Sequence, residues 1–201
     1  MSITNYAELQ ASVASWLNRN DLSANIPDFI TMAEAQLSTD LKTRSMEAKV
    51  TLSTVAGTKT VALPTDMLEM RRIQVVGTYN QPLSYRSPDE LSIDYAANGS
   101  GQPVVFTVVG GNVELAPIPD AVYSLELTYQ QRIPALSDAS QTNWLLNNWP
   151  NAYLYAALLA ATPFIMNDER LPVWASLYEK AIDSINGVDW YSGSTMKVRS
   201  R

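Results

Sequence analysis

The stretch YSLELTYQQRIPALSDASQTNWLLNNWPNAYLYAALLAATP, residues 123–163, changes its hydrophobic period partway along, and that change decides the fold. In its first part Tyr123, Leu125, Leu127 and Tyr129 alternate with polar residues, the two-residue period of a strand with one buried face. The alternation stops before Pro134. Beyond it, Asn143 to Asn148 reads as one turn of helix. Pro150 opens a longer helix, since proline lacks only an N–H that a first turn leaves unbonded anyway. Tyr153, Leu154, Ala157, Leu158 and Ala161 ring most of its circumference, so it is expected to be buried on several sides and to kink or finish at Pro163. A strand followed by a buried helix makes the chain α+β.

Upstream of this stretch the two-residue period persists. Ala48, Val50 and Leu52, then Val61 and Leu63, alternate on either side of Ala56-Gly57, which reads as a hairpin. Arg71 to Val76 is a further strand, ended by Gly77. Ser87-Pro88-Asp89-Glu90 has the spacing of a capping box, so a short helix is expected from Pro88 to Tyr95. Val104–Val109, the turn Gly110-Gly111 and Val113–Leu115 form a second hairpin, and Val122–Gln131 closes the sheet.

The outer parts of the chain are helical. After a cap at Thr4 or Asn5, the residues Tyr6, Leu9, Val13, Trp16 and Leu17 recur at three- and four-residue steps, until Asn18, Asn20 and Asp21 break the stripe. A second helix starts at Asn25–Pro27, carries Phe29, Ile30, Ala33, Leu37 and Leu41, and ends near Arg44. A last helix starts near Asp168, carries Leu171, Trp174, Tyr178, Ile182 and Ile185, and stops at Gly187 in the C-terminal cap position. Alone, each pair of helices exposes an apolar face. The expected architecture is therefore a four-helix bundle formed by the N- and C-terminal segments, residues 1–45 and 135–187. An antiparallel β domain, sandwich- or barrel-like, is inserted over residues 46–134, and an extended C-terminal tail covers 188–201.

Composition removes most chemistry. The 201 residues include no Cys and no His, with 14 basic against 20 acidic side chains and a net charge of −6. Without Cys there is no thiol nucleophile or thiolate ligand. Without His the commonest general base and the commonest transition-metal ligand are gone. Paired carboxylates remain, as glycoside hydrolysis requires: Asp66 with Glu69, Asp89 with Glu90, and Asp168 with Glu169. Each is expected at a helix start, where the dipole favours acids, so capping is the preferred reading. No Glu is expected in an apolar setting that would raise its pKa for general-acid work. Gly110-Gly111 lacks the Lys and the helix start of a phosphate-cradling loop. The expectation is a protein that is not an enzyme, with no catalytic, cofactor-binding or metal-binding residue. Its acidity also argues against a grip on phosphates.

MSITNYAELQ lacks the basic start and apolar run of a signal peptide, and the longest apolar stretch, Tyr153 to Met166, is too short for a bilayer and contains Pro163. No membrane association is expected, and synthesis and folding are expected in a cytoplasm. Trp16 and Trp174 are expected in the core, with Trp144 and Trp149 pinning the loop before the long helix. Trp190 and Tyr191 lie past the expected end of the last helix with nothing local to bury against. Gly193-Ser194 follows as a bend, then Lys197, Arg199 and Arg201 against the single acid Asp189. That order suits an anchoring arm.

Three stretches together resemble the head-to-tail adaptor proteins of short-tailed bacteriophages: IPDFITMAEAQLSTDLKTRSMEA (26–48), LPTDMLEMRRI (63–73), and the segment from Tyr123 to Ile182 with its T-N-W-L, P-x-x-Y-L-Y-x-A-L-L and D-E-R runs. The resemblance implies a structural virion protein, made in the host cytoplasm and placed in the neck. It implies a ring, usually of twelve copies, between the portal protein and the tail nozzle protein, lining a channel that DNA passes without specific binding. It also assigns portal docking to Trp190, Tyr191, Lys197, Arg199 and Arg201, on an arm that orders only on the portal, and makes the isolated protein a weakly associating monomer. Two other readings stand beside it. One is a tail-associated cell-wall hydrolase, an activity assigned to some related adaptors. The other is a carbohydrate-binding tail module, against which Tyr123, Leu125, Leu127 and Tyr129 look like core rather than an exposed aromatic face.

Overall fold

The computed structural model describes residues 3–19, 21–95, 99–165 and 169–192, with side chains described up to residue 188. The chain is α+β. Its helices are α1 (Tyr6–Leu17), α2 (Ile26–Asp40), α3 (Pro88–Asp94), α4 (Trp144–Asn148), α5 (Pro150–Ala160) and α6 (Leu171–Ser192). Its strands are β1 (Glu47–Ser53), β2 (Thr60–Ala62), β3 (Met67–Val76), β4 (Gln81–Pro82), β5 (Ser84–Tyr85), β6 (Val105–Val109), β7 (Asn112–Ala116) and β8 (Ser124–Gln131). Two compact units result: one from the chain up to Met46 and from Ile133 onward, the other from Glu47–Arg132.

In the helical unit α5 touches α1, α2, α4 and α6. A helix that is apolar all round finds partners on every side, and Ala152, Tyr153, Ala157 and Leu158 are fully buried. The helix finishes at Ala160, and Thr162–Phe164 form a 3-10 turn around Pro163. Asn5, not Thr4, caps α1: its side chain accepts the Glu8 N–H at 2.9 Å. Asn18 ends α1 with φ 53°, a left-handed conformation that Asn tolerates better than most residues. In α2 the side chains of Phe29, Ile30, Ala33 and Leu37 are buried. That helix ends at Asp40, and a separate 3-10 turn occupies Arg44–Met46.

Two expectations for this unit are corrected. Trp16 is 42% exposed, with its ring edge-on to Tyr155 at 6.1 Å between centroids, so it sits at the rim of the core while Trp174 is buried in it. Gly187 does not stop the last helix, which begins at Leu171 and continues to Ser192. A glycine costs a helix interior about 1 kcal/mol relative to alanine, too little to end a helix held by the buried Ala181, Ile182 and Ile185. Asp168 lies outside the described residues.

The β unit is two four-stranded sheets, ordered β1-β8-β3-β4 and β2-β7-β6-β5. Ile73, Val75, Leu125 and Leu127 of the first share one core with Val61, Phe106, Val113 and Leu115 of the second. The hairpin expected around Ala56-Gly57 is not one. Glu47 faces Gln130 across the β1–β8 pair, whereas Val61 faces Val113 across β2–β7, so the turn at Gly57 carries the chain from one sheet to the other. Alternation reveals a half-buried strand but not its partner. The chain crosses between the sheets again at residues 81–85, where β4 pairs with β3 and β5 with β6. The β5–β6 pair is parallel, so the second sheet is mixed rather than wholly antiparallel. β8 lies in the middle of its sheet, between β1 and β3. The hairpin at Gly110-Gly111 forms as read, with φ 58° and 80° at the two glycines, a conformation that glycine alone adopts freely. The capping box of α3 is also present, with the Glu90 N–H donating to Ser87 Oγ at 3.3 Å and the Ser87 N–H to Glu90 Oε2 at 3.2 Å.

Candidate functional site

Residues of the two signature stretches at either end of the chain meet in one buried polar cluster. Glu34 stands on α2 at an apolar-stripe position, four residues after Ile30 and three before Leu37, and is only 7% exposed. Its Oε1 accepts the Leu136 N–H at 2.7 Å and the Tyr153 hydroxyl at 3.3 Å. Asn143, the N-cap of α4, donates from Nδ2 to the Tyr153 hydroxyl at 2.5 Å and to the Pro134 carbonyl at 2.7 Å. Its Oδ1 accepts the Leu146 N–H at 2.8 Å. Ser38, one helical turn on from Glu34, accepts the Ile133 N–H at 3.3 Å. The segment that returns from the β unit, residues 133–143, is thereby stitched to α2, α4 and α5. Most of this segment is exposed, but at its buried points, Ile133, Leu136 and Asn143, the backbone groups need partners, and these side chains supply them.

Burial raises the Glu34 carboxyl above its ordinary range, against the opposing effect of its two donors. Burial, then the Glu34 charge, pushes the Tyr153 hydroxyl far up. The expectation that no Glu sits in an apolar setting is thus corrected by Glu34. Its signal was in the sequence: a carboxylate on an apolar stripe. Geometry gives the group a structural task, since Oε1 already holds both donors and Glu34 lines none of the three cavities described below.

Those cavities lie within the units. About 470 Å³ opens in the β unit beside Arg71, Arg72, Tyr85 and Phe106. About 350 Å³ lies in the helical unit against Met32, Leu159 and Tyr178, and about 280 Å³ beside Asp40, Tyr178 and Asp183. Around the last two, α6 is fastened to the end of α2. Tyr178 donates its hydroxyl to Asp40 Oδ2 at 2.7 Å, Asn186 Nδ2 donates to the Asp40 carbonyl at 3.2 Å, and the Lys42 N–H donates to Asn186 Oδ1 at 3.1 Å. Burial and the Asp40 hydrogen bond raise the Tyr178 hydroxyl.

The carboxylate pairs separate on inspection. Asp89 and Glu90 occupy the first turn of α3, as read. Asp66 and Glu69 are at no helix start: a turn closed by the Met67 N–H on the Pro64 carbonyl (3.2 Å) leads into β3, and Asp66 accepts the Tyr129 hydroxyl at 3.2 Å. Asp168 is outside the described residues. Trp144 and Trp149 meet edge-on, 6.2 Å between centroids, at the two ends of α4.

Of the residues assigned to docking, Trp190 and Tyr191 stand on the last turn of α6, because the helix runs through Gly187. Their side chains, and all of Lys197, Arg199 and Arg201, lie outside the described residues. Among the described residues, no helix is long and apolar enough to cross a membrane.

The family model described as SU10 adaptor protein matches residues 4–199, nearly the whole chain. No curated protein sequence matches it.

Proposed function

We propose, since the chain belongs to the SU10 adaptor protein family, that it is a structural protein of a phage virion and joins head to tail as a ring between the portal and the tail nozzle. The observation that carries this reading is the extent of the family match, residues 4–199, which takes in most of both units and the arm up to Arg199. The side chains support it. The polar residues of the signature stretches (Glu34, Asn143, Tyr153, Asp66) are engaged in hydrogen bonds that hold the fold. A protein whose task is to bridge partners needs a rigid body and surfaces, not a reaction centre.

In this reading α1, α2, α5 and α6 work as a four-helix bundle, and twelve copies complete the ring. DNA passes through the channel without specific binding, helped by an acidic body that repels phosphate. The C-terminal arm reaches the portal. Trp190 and Tyr191 fill a pocket there from the last turn of α6, and Lys197, Arg199 and Arg201 meet acidic groups. Sedimentation of the purified chain with purified portal tests the assignment. The full chain should co-sediment with portal, and truncation after Gly187 should weaken binding while leaving the melting temperature nearly unchanged. Trp190→Ala should account for most of the loss, about 2 kcal/mol if the ring is a buried anchor. Equal portal binding by the truncated chain would remove the arm from the interface.

A further inference from the structure

Of the sheet edges in the β unit, all but one are blunted. β4 and β5 are two residues long, β4 contains Pro82, and β2 has three residues. Where β3 runs past β4 its ladder with β8 is bulged, between Met67 and Glu69 and again between Met70 and Arg72. Short strands, prolines and bulges are what keep a sheet edge from pairing with another chain. β1 has none of them. Its seven residues pair with β8 in unbroken register, from Glu47 opposite Gln130 to Ser53 opposite Ser124. Among the described residues β8 is its only strand neighbour.

The direction of its free groups follows from the residue after it. Thr54 donates its N–H to the Tyr123 carbonyl at 3.0 Å. Bonding direction alternates along a strand, so Leu52, Val50 and Ala48 bond toward β8, while Glu47, Lys49, Thr51 and Ser53 aim their N–H and C=O groups off the edge. No described residue hydrogen-bonds to those outward groups. Ala48, Val50 and Leu52 face the core shared by the two sheets, yet they stay partly exposed beside the open seam.

We propose that a second copy of this chain closes the edge, with its β1 antiparallel to the first about a twofold axis at Val50. The strand is complementary to itself in that register. Lys49 lies opposite Thr51 of the second copy and Glu47 opposite Ser53, so outward-bonding residues meet outward-bonding residues along the whole seam. On the core side Ala48 meets Leu52 and Val50 meets Val50, which covers the apolar row. No like charges stand directly opposite each other. The two Lys49 side chains meet only on the diagonal, each 3.9 Å from the Glu126 of its own chain. Because both copies use the same strand, the contact closes at two and cannot propagate into a filament. A seam of one seven-residue strand is small beside a permanent dimer interface, so the pair is weak and separates on dilution. The pairing stands without the ring reading above. Only its consequence, that the pair belongs to the free protein and separates as a ring forms, rests on that reading.

The chain contains no cysteine, so a single introduced one reports the register. Val50→Cys should form a disulfide-linked dimer under mild oxidation, at a rate that rises with protein concentration. A residue opposite itself in a non-hydrogen-bonded pair brings its two Cα atoms to about 4.5 Å, within reach of a disulfide. Ser53→Cys is more exposed but lies about 20 Å from its own copy in this register, and should cross-link at least tenfold more slowly. Thr51→Pro removes an N–H that points off the edge and none that β8 uses. It should leave the melting temperature nearly unchanged, yet slow Val50→Cys cross-linking about tenfold. Sedimentation should show monomer and pair in exchange for the parent chain, and monomer alone for Thr51→Pro. Equal rates at the two cysteines, or pairing untouched by the proline, overturns the proposal. A parent chain that never pairs but loses portal binding on Thr51→Pro gives the edge to the portal, and overturns it as well. Portal binding by the chain truncated after Gly187 bears on the arm alone, so the two readings fail separately.

Discussion

The two units hold the segments that connect their elements by different means. In the β unit the crossings are made mostly by backbone, with one buried side chain at the first, where the Thr54 hydroxyl donates to the Ala121 carbonyl at 3.0 Å and accepts the Tyr123 N–H at 2.8 Å. The chain passes between sheets at Gly57 and again at residues 81–85, each time pairing first with one sheet and then with the other. In the helical unit the connecting segment has no strand to pair with and touches the core only at Ile133, Leu136 and Asn143. Residues 133–143 are held instead by buried side chains, Glu34, Ser38, Asn143 and Tyr153. Ladder bonds tolerate many side chains, whereas a side-chain cluster requires particular ones. The helical unit gathers Glu34, Ser38, Asn143 and Tyr153 for this, while in the β unit Asp66 accepts the Tyr129 hydroxyl.

The contrast predicts unequal responses to mutation. The largest is expected from Phe29→Ala. Phe29 is fully buried, and its loss should cost about 3–5 kcal/mol and unfold the helical unit, while hydrogen exchange at Leu125 and Leu127 stays slow. Exchange lost in both units together would mean that they do not stand on separate cores. Asn143→Ala comes next. It removes the N-cap and the bonds to Pro134 and Tyr153 at once, and a denaturant titration should show about 2–3 kcal/mol lost. In the β unit the matching change is at the backbone: Gly111→Val forces a β-branched residue to φ 80° and should cost about 1–2 kcal/mol, more than any surface substitution on the same strands.

The smallest effect is one of pH. Burial raises the folded-state pKa of Glu34 above its ordinary value of 4.5. The native state therefore holds that proton more tightly than the unfolded chain does. Its contribution to stability is fully present below the ordinary pKa and is lost as pH rises through the raised one. Glu34→Gln should abolish that decline, read as the change in urea midpoint from pH 4.5 up to neutrality. An unchanged slope would assign the titration to another group.

Much of the fold was legible because periods and caps are local. The all-round apolar helix α5, the capping box at Ser87 and the glycine pair of the β6–β7 turn each follow from a few neighbouring residues. What was not legible depended on distance. Val50 and Val61 alternate identically, yet one strand pairs with β8 and the other with β7, and nothing near Gly57 encodes that choice. Gly187 has the look of a cap, and only the burial of Ile182 and Ile185 carries the helix past it. Trp16 fits a stripe but falls at its edge, where Tyr155 covers one side only. Glu34 was visible as an acid on an apolar stripe, but its partners are 102 and 119 residues away. Of the residues proposed for docking, Trp190 and Tyr191 read as lying past the last helix, whereas they stand on its last turn.

The most direct measurement of the central claim is electron microscopy of the purified chain mixed with purified portal and purified tail nozzle. A bridging adaptor should be seen as a closed ring of this chain stacked between the other two, with its C-terminal arms against the portal. Portal and nozzle joining without it, or the chain bound to neither, would contradict the account.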